Sequence, residues 1–235
     1  MMILTREIQN AFAIQNQTVA VFFDLEKAYD TTWRVGILKQ LADWGIGGHM
    51  FDTIKDFLTD RYLKVRIGST VSSAYFQEEG IPQGRVLSPT LFNIAINGLL
   101  EQVPVGVQGL AYADDFAIFC SKSSAVEACQ QIQRAINMAS KWTISRGFKF
   151  SAEKTQAIRF CRTRRREEIP TLFLEGSIIP LDNKVKYLGV IFYKKFTFEH
   201  HINELVNNVK LRMNILKVVS KFNWGAERIT LLRLN

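Results

Sequence analysis

Hydrophobic and polar positions along the chain fall into short blocks that alternate between helical and strand periods. Residues 4–16 carry the spacing of a short amphipathic helix. Residues 18–23 read Thr-Val-Ala-Val-Phe-Phe, an unbroken and partly β-branched run typical of a strand buried on both faces, and it stops at Asp24. Residues 34–60 return to helical spacing, broken at Gly45-Ile46-Gly47-Gly48. Residues 62–68 and 74–79 predict a hairpin. Ser88-Pro89 predicts a helix start, with Ser at the N-cap and Pro at the first helical position, running to about Glu101. Residues 109–120 have strand character on both sides of Asp114-Asp115, so a hairpin with acids at its tip is expected. Ser124-x-x-Glu127 is a capping box, followed by apolar positions 126, 129, 132, 136, 139 and 142 of an amphipathic helix. Short strands are predicted over 155–160, 171–175 and 186–192, then a helical tail over 199–233, basic on one face and broken at Gly225. A mixed sheet with helices mainly on one face is an α+β fold.

Composition narrows the partners. The 235 residues suffice for one domain with a real core, or one domain and a small appendage. Thirty Lys+Arg against 22 Asp+Glu give a net charge of +8, which favours polyanions, nucleic acid first. Cys120, Cys129 and Cys161 form no C-x-x-C pair and read as buried or bystander thiols of an intracellular protein. No apolar run approaches the ~18 residues that span a bilayer, and the start lacks the layout of a signal peptide. No membrane partner is expected.

The acids carry the chemistry. Asp114 and Asp115 repel one another, and like charge this close raises one pKa unless a cation neutralises the pair. Mg²⁺ does so, taking carboxylate and phosphate oxygens at ~2.0–2.1 Å. Two such ions ~3.5–4 Å apart clamp the attacking and leaving oxygens of an in-line phosphoryl transfer. Asp24 closes its own buried strand ninety residues before Asp114, and a sheet can bring the two together. Acids in an exposed turn are the ordinary alternative, but here both flanks are apolar.

Five segments occur in order: Asp24-Leu-Glu-Lys-Ala-Tyr-Asp-Thr-Thr-Trp33, Gly80-Ile-Pro-Gln-Gly-Arg-Val-Leu-Ser-Pro89, Tyr112-Ala-Asp-Asp115, the stretch 142–154, and Tyr187-Leu-Gly-Val190. Together, over roughly residues 18–192, they resemble the reverse transcriptase of a non-LTR (LINE-like) retrotransposon. The resemblance implies a right-hand polymerase: a palm over 1–192 with its fingers largely missing, and the start of a helical thumb over 193–235. It implies RNA-templated DNA synthesis from dNTPs on a DNA primer, with two Mg²⁺ ions that Mn²⁺ can replace. Asp24 and Asp114 would ligate both metals, Asp115 would be a weaker ligand, and the Leu25 carbonyl would hold the nucleotide-side ion. Tyr29 would exclude a 2′-hydroxyl, while Gln83 and Gly84 would line the incoming nucleotide and template base. Lys154 would protonate the leaving pyrophosphate, and Tyr187, Leu188 and Gly189 would form the turn that grips the primer end. A location in nucleus, cytoplasm or both is implied in the same way.

This sequence departs from the pattern at Arg85, where a small residue is commoner, and at Ser151, where Asn is common. Only 23 residues precede Asp24, so this stretch alone is expected to fold yet polymerise poorly. A folded, inactive nucleic-acid-binding remnant is the rival; an RNA-directed RNA polymerase is disfavoured by Tyr29.

Other residues have plainer expectations. Tyr29 by itself reads as core, Lys154 as solvated, and Lys27 and Asp30 as members of structural ion pairs. Trp44 and Trp142 read as core, and His200-His201 as a surface pair. The arginines among 159–166 and the basic helix over 203–221 suit solvated faces or phosphate contacts.

Overall fold

The structure is a computed structural model that describes residues 1–162 and 167–219. Helix α1 (Met2–Ala13) buries Leu4, Ile8 and Ala11 and leads into strand β1 (Gln17–Asp24), buried at every residue but Asp24. Helices α2 (Arg34–Asp43) and α3 (Gly48–Leu58) are parted at the predicted glycines. The hairpin expected next is nested and wholly exposed. Its strands are β2 (Tyr62–Leu63), β3 (Arg66–Ile67), β4 (Thr70–Val71) and β5 (Tyr75–Phe76), with β3–β4 inside β2–β5.

Helix α4 (Ser88–Ala95) corrects two expectations. Ser88 is not its cap: the hydroxyl donates to the Pro82 carbonyl, and Leu87 holds the N-cap position. The helix also ends at Ala95, and Gly98 (φ +93°) separates it from a 3₁₀ turn at Leu100–Gln102. Strands β6 (Gln108–Tyr112) and β7 (Asp115–Lys122) form the predicted acidic hairpin. Ser124 caps α5 (Ala125–Ser145) by accepting from the Val126 N–H at 3.2 Å. The buried stripe of α5 includes Ala125, Ala128, Ala135 and Ala139, small residues that let it lie close to the sheet, while Val126 is exposed.

The remaining strands are β8 (Gln156–Phe160), β9 (Leu172–Leu174), β10 (Ser177–Ile179), β11 (Leu181–Asp182), β12 (Lys184–Tyr187) and β13 (Val190–Tyr193). The one strand expected over 186–192 is therefore two, parted by a turn where the resemblance implied one: Leu188 and Gly189 take φ +48° and +79°. Helix α6 (Glu199–Val219) closes the described part. The expected break at Gly225, Lys221 and Arg164 to Arg166 lie outside the described residues.

The five-stranded sheet runs β11-β8-β1-β7-β6, antiparallel except for β11 beside β8. On one face Val19, Val21 and Phe23 pack with Ile132, Ile136, Leu41 and Phe92 from α5, α2 and α4. On the other, Ala20 and Phe22 pack with Leu4 and Ile8 of α1 and with Val185, Tyr187 and Phe192 of the β12–β13 hairpin. Both faces of β1 are covered, which is why it reads as apolar throughout. Each fully buried Phe or Leu here contributes about 1.5–3 kcal/mol. The fold is α+β.

Helix α6 leaves this body. His200 lies against Tyr193 at 4.7 Å and Glu204 meets Lys186 at 3.6 Å, so α6 runs back along the hairpin towards its Leu188–Gly189 turn. From Ile202 to Ile215 every residue is exposed.

Candidate active site

Strands β1 and β7 pair in a register that sets Asp24 directly opposite Asp115, at the end of both strands. Asp114 sits next to them in the two-residue turn of the β6–β7 hairpin, where Ala113 takes φ +51°. Such a φ costs a residue with a Cβ on the order of 1–2 kcal/mol, so the rest of the fold holds this turn in place. The hold is visible in three rings immediately behind the acids. Phe23 lies 5.4 Å from Phe116 and 4.6 Å from Phe150, and Phe116 and Phe150 stack at 5.8 Å. Their neighbours in sequence are Asp24, Asp115 and Ser151.

Past Asp24 the chain forms one more bridge, Leu25 opposite Phe150. Its two hydrogen bonds are donated by Glu26 to the Lys149 carbonyl (2.9 Å) and by Ser151 to the Asp24 carbonyl (2.8 Å). The flanking residues make the bonds, so the Leu25 carbonyl is not consumed by the bridge.

Charge concentrates here. The Asp115 carboxyl is pushed above the usual range, first by burial and then by Asp114 and Asp24. Burial raises the Tyr29 hydroxyl, and Asp114 adds to it. Burial pushes Tyr187 up to about 12, with Asp115 contributing. A cation answers this field. Lys154 Nζ bonds Asp24 Oδ2 at 2.9 Å, and that bond, then the charge of Asp24, raises the ammonium's pKa. The side chain reaches out from a turn that Thr155 ties to the Ser151 carbonyl through its N–H (3.0 Å) and hydroxyl (2.6 Å). Both partners touch water, so the pair itself contributes little stability.

Among the described residues no three His, Cys, Asp or Glu side chains form a ready metal cage. The chemistry of the donor set nevertheless suits a hard divalent cation: three carboxylates whose charges reinforce one another, a neighbouring backbone carbonyl, and an ammonium already drawn to Asp24.

Tyr29 is half-buried and stacks on Phe92, rings 4.8 Å apart and 16° from parallel, so it is packed and also within the field of Asp114. Tyr187 is buried against Phe22 at 4.8 Å, and the Leu188–Gly189 turn follows it. Gln83 and Gly84 are exposed on the loop before α4; Gln83 Nε2 lies 3.5 Å from Asp30 Oδ1, and Gly84 takes φ +76° with open space around it. Arg85 is exposed on the same loop, and Ser151 is buried.

Some expectations change. Lys27 and Asp30 form no ion pair among the described residues; the Asp30 N–H instead closes a turn onto the Lys27 carbonyl at 2.7 Å. Trp44 is 49% exposed at the end of α2 and is not core. Trp142 is half-buried against the core, with the Arg146 guanidinium 5.5 Å from its ring. Two residues went unread in the sequence. Phe150 was signalled by the alternation Phe148-Lys149-Phe150, but Arg34 by nothing beyond its place after Trp33.

A family profile described as "Reverse transcriptase (RNA-dependent DNA polymerase)" matches residues 2–192. Curated relatives include the RNA-directed DNA polymerase from mobile element jockey of Drosophila funebris, 30% identical over 213 residues, covering 86% of this chain and 22% of that protein. Another is the retrovirus-related Pol polyprotein from type-1 retrotransposable element R2 of Popillia japonica, 26% identical over 189 residues, covering 73% of this chain and 30% of the relative. The chain thus spans well under half the length of these relatives. Among solved structures, apo telomerase from Candida tropicalis, truncated from its C-terminal domain, gives a TM-score of 0.55 at 14% identity, covering 82% of this chain and 38% of that one. Telomerase of the same organism in complex with a TWJ fragment of telomeric RNA gives 0.54 at 15%, covering 83% and 31%. That likeness is one of fold.

Proposed function

The chain belongs to the reverse transcriptase (RNA-dependent DNA polymerase) family, and from that premise we propose that it is the catalytic palm of a LINE-like retroelement's RNA-directed DNA polymerase. It joins a deoxynucleotide to the 3′-hydroxyl of a DNA primer on an RNA template. One observation carries the reading: Asp24 faces Asp115 across two strands, with Asp114 beside them, in a field strong enough to draw in Lys154. Residues 1–192 form the palm. Helix α6, running back towards the hairpin turn with exposed Lys210 and Arg212, opens the thumb of 193–235.

Asp24, Asp114, Asp115 and the Leu25 carbonyl would hold two divalent cations, Mg²⁺ or Mn²⁺, which would favour ionisation of the attacking hydroxyl and stabilise the charge developing on the leaving pyrophosphate. The other residues position and protonate. Lys154, protonated at neutral pH as lysine ordinarily is, is held at the site by its bond to Asp24 and supplies its proton to the leaving pyrophosphate. Tyr187 and the Leu188–Gly189 turn hold the primer end against the sheet. Gln83 and Gly84 line the base side of the nucleotide.

Tyr29 closes the sugar side. Its ring cannot retreat because Phe92 lies flat behind it, so a 2′-hydroxyl meets the ring. Tyr29→Val is expected to narrow the preference for dNTP over NTP by roughly 10–100-fold, the range over which a pocket discriminates one small group. Single-nucleotide insertion measures it. Unchanged discrimination with a lowered melting temperature returns Tyr29 to the core.

The reading as a whole is tested by Mn²⁺ binding, followed by electron paramagnetic resonance, and by primer extension with enzyme in excess over an RNA–DNA template–primer. Expected are Mn²⁺ uptake that needs Asp24 and Asp114, salt-sensitive duplex binding, and slow insertion of dNTP. Duplex binding with neither Mn²⁺ uptake nor insertion would mark an inert remnant. Equal use of NTP would mark an RNA polymerase.

A further inference from the structure

Arg34 has no part in these roles, yet its guanidinium is buried at the start of α2, with the residue 8% exposed. It donates from Nε to the Gly80 carbonyl (2.6 Å), from one Nη to Gln77 (2.8 Å) and from the other to Glu79 (2.8 Å). Three carbonyls from a stretch of four residues thus point at one spot. Their negative ends repel, and only a planar fork of donors can satisfy all three away from water. The convergence depends on Gly80, whose φ is +80°.

The far side of the same segment is fastened to the turn after Asp24. Gly80 N–H donates to the Thr32 carbonyl (3.0 Å) and Ile81 N–H to the Tyr29 carbonyl (2.7 Å). A Cβ on Gly80 would stand 2.4 Å from the Asp30 carbonyl oxygen, so the two backbones touch. Residues 77–81 are therefore clamped between Arg34 and residues 29–32. Pro82, Gln83 and Gly84 follow at once.

We propose that Arg34 is a positioning residue that sets the gap between Tyr29 and Gln83–Gly84, and so the fit of the incoming nucleotide. The proposal rests on the roles given to those three residues above. Arg34 touches no substrate; it acts through the backbone it holds. Lysine keeps the charge but offers a single ammonium, which cannot span three carbonyls in a plane.

The experiment uses the whole chain on a template–primer whose primer ends in a dideoxynucleotide, so that the matching dNTP is trapped without reacting. The dNTP concentration giving half-maximal resistance to a heparin challenge is measured for the wild type and for Arg34→Lys. An increase of roughly 10–100-fold is expected, the size of effect a remote misplacement of about 1 Å produces. Preference for dNTP over NTP should narrow, while Mn²⁺ uptake and duplex affinity without nucleotide stay as in the wild type. Arg34→Ala is measured alongside, with and without millimolar methylguanidinium; recovery of dNTP trapping by methylguanidinium but not methylammonium supports the assignment. Unchanged trapping in Arg34→Lys overturns it. So does an equal loss of metal, duplex and nucleotide binding, or failure of both variants to fold, since either assigns Arg34 to the fold alone. If the wild type traps no dNTP, the reading of the site fails first, a result distinct from any outcome in the variants.

Discussion

Asp114→Asn is expected to abolish primer extension while leaving the protein as stable as before, or slightly more so. The substitution keeps the shape of the side chain and removes its charge. Metal electrostatics supply several kcal/mol of transition-state stabilisation, so a loss of roughly 10³-fold or more in rate follows. Stability moves the other way. Asp115 is held above the ordinary carboxylate range by burial, then by Asp114 and Asp24. A carboxyl whose folded pKa is raised disfavours folding at any pH above its unfolded value, because the charged form is the costly one in the fold. Deleting the charge of Asp114 relieves part of that cost at neutral pH. Duplex binding survives, since phosphate contacts elsewhere supply it. Extension within tenfold of the wild type, or a melting temperature several degrees lower, would contradict the assignment.

Gly80→Ala should be the most damaging single methyl in the chain's described glycines. The new Cβ would meet three backbone atoms of Asp30 at 2.4, 2.7 and 2.8 Å, and backbone cannot swing aside as a side chain does. The φ of +80° adds strain of about 1–2 kcal/mol for a residue with a Cβ, and overpacking adds about 1–3 kcal/mol. A total near 3 kcal/mol lowers the melting temperature by roughly 6–12 °C in a protein of this size. Gly84→Ala is the matched control. It shares the positive φ (+76°) but has nothing within 4 Å, so only the strain should remain. Equal melting temperatures for the two variants would show that the Gly80–Asp30 contact is not tight.

What could be read from the sequence, and what could not, divides along the range of the interactions. The run at 18–23 announced a strand buried on both faces because each residue there is apolar, whatever packs on it. The acidic hairpin was equally plain, since a strand cannot continue through two adjacent charges unless something holds them. Element ends were less legible. Ser88 reads as an N-cap in isolation, but the Pro82 carbonyl lies close enough to take its hydroxyl. Residues 186–192 read as one strand by their apolar pattern, and the turn at Tyr187-Leu188-Gly189 was legible through the resemblance and not through that pattern, since Leu188 by itself gives no sign of a positive φ. Trp44 sits at helical spacing yet faces solvent, because spacing gives a face and not what covers it. Arg34 was illegible. Its partners are carbonyls, which every residue has, so no residue type 43 to 46 positions away could betray the contact.

Helix α6 has a mechanical consequence. It is braced near its root, at His200 and Glu204, and then stands in solvent. From Glu204 to Val219 it extends about 22 Å at 1.5 Å per residue. A rod held at one end is a lever: a tilt of about 9° at the brace carries the tip through about 3.4 Å, the spacing of successive nucleotides along one strand. On the proposed reading of α6 as the start of the thumb, a side-chain adjustment at Lys186–Glu204 would be expressed at the far end of the helix as a shift of one nucleotide step.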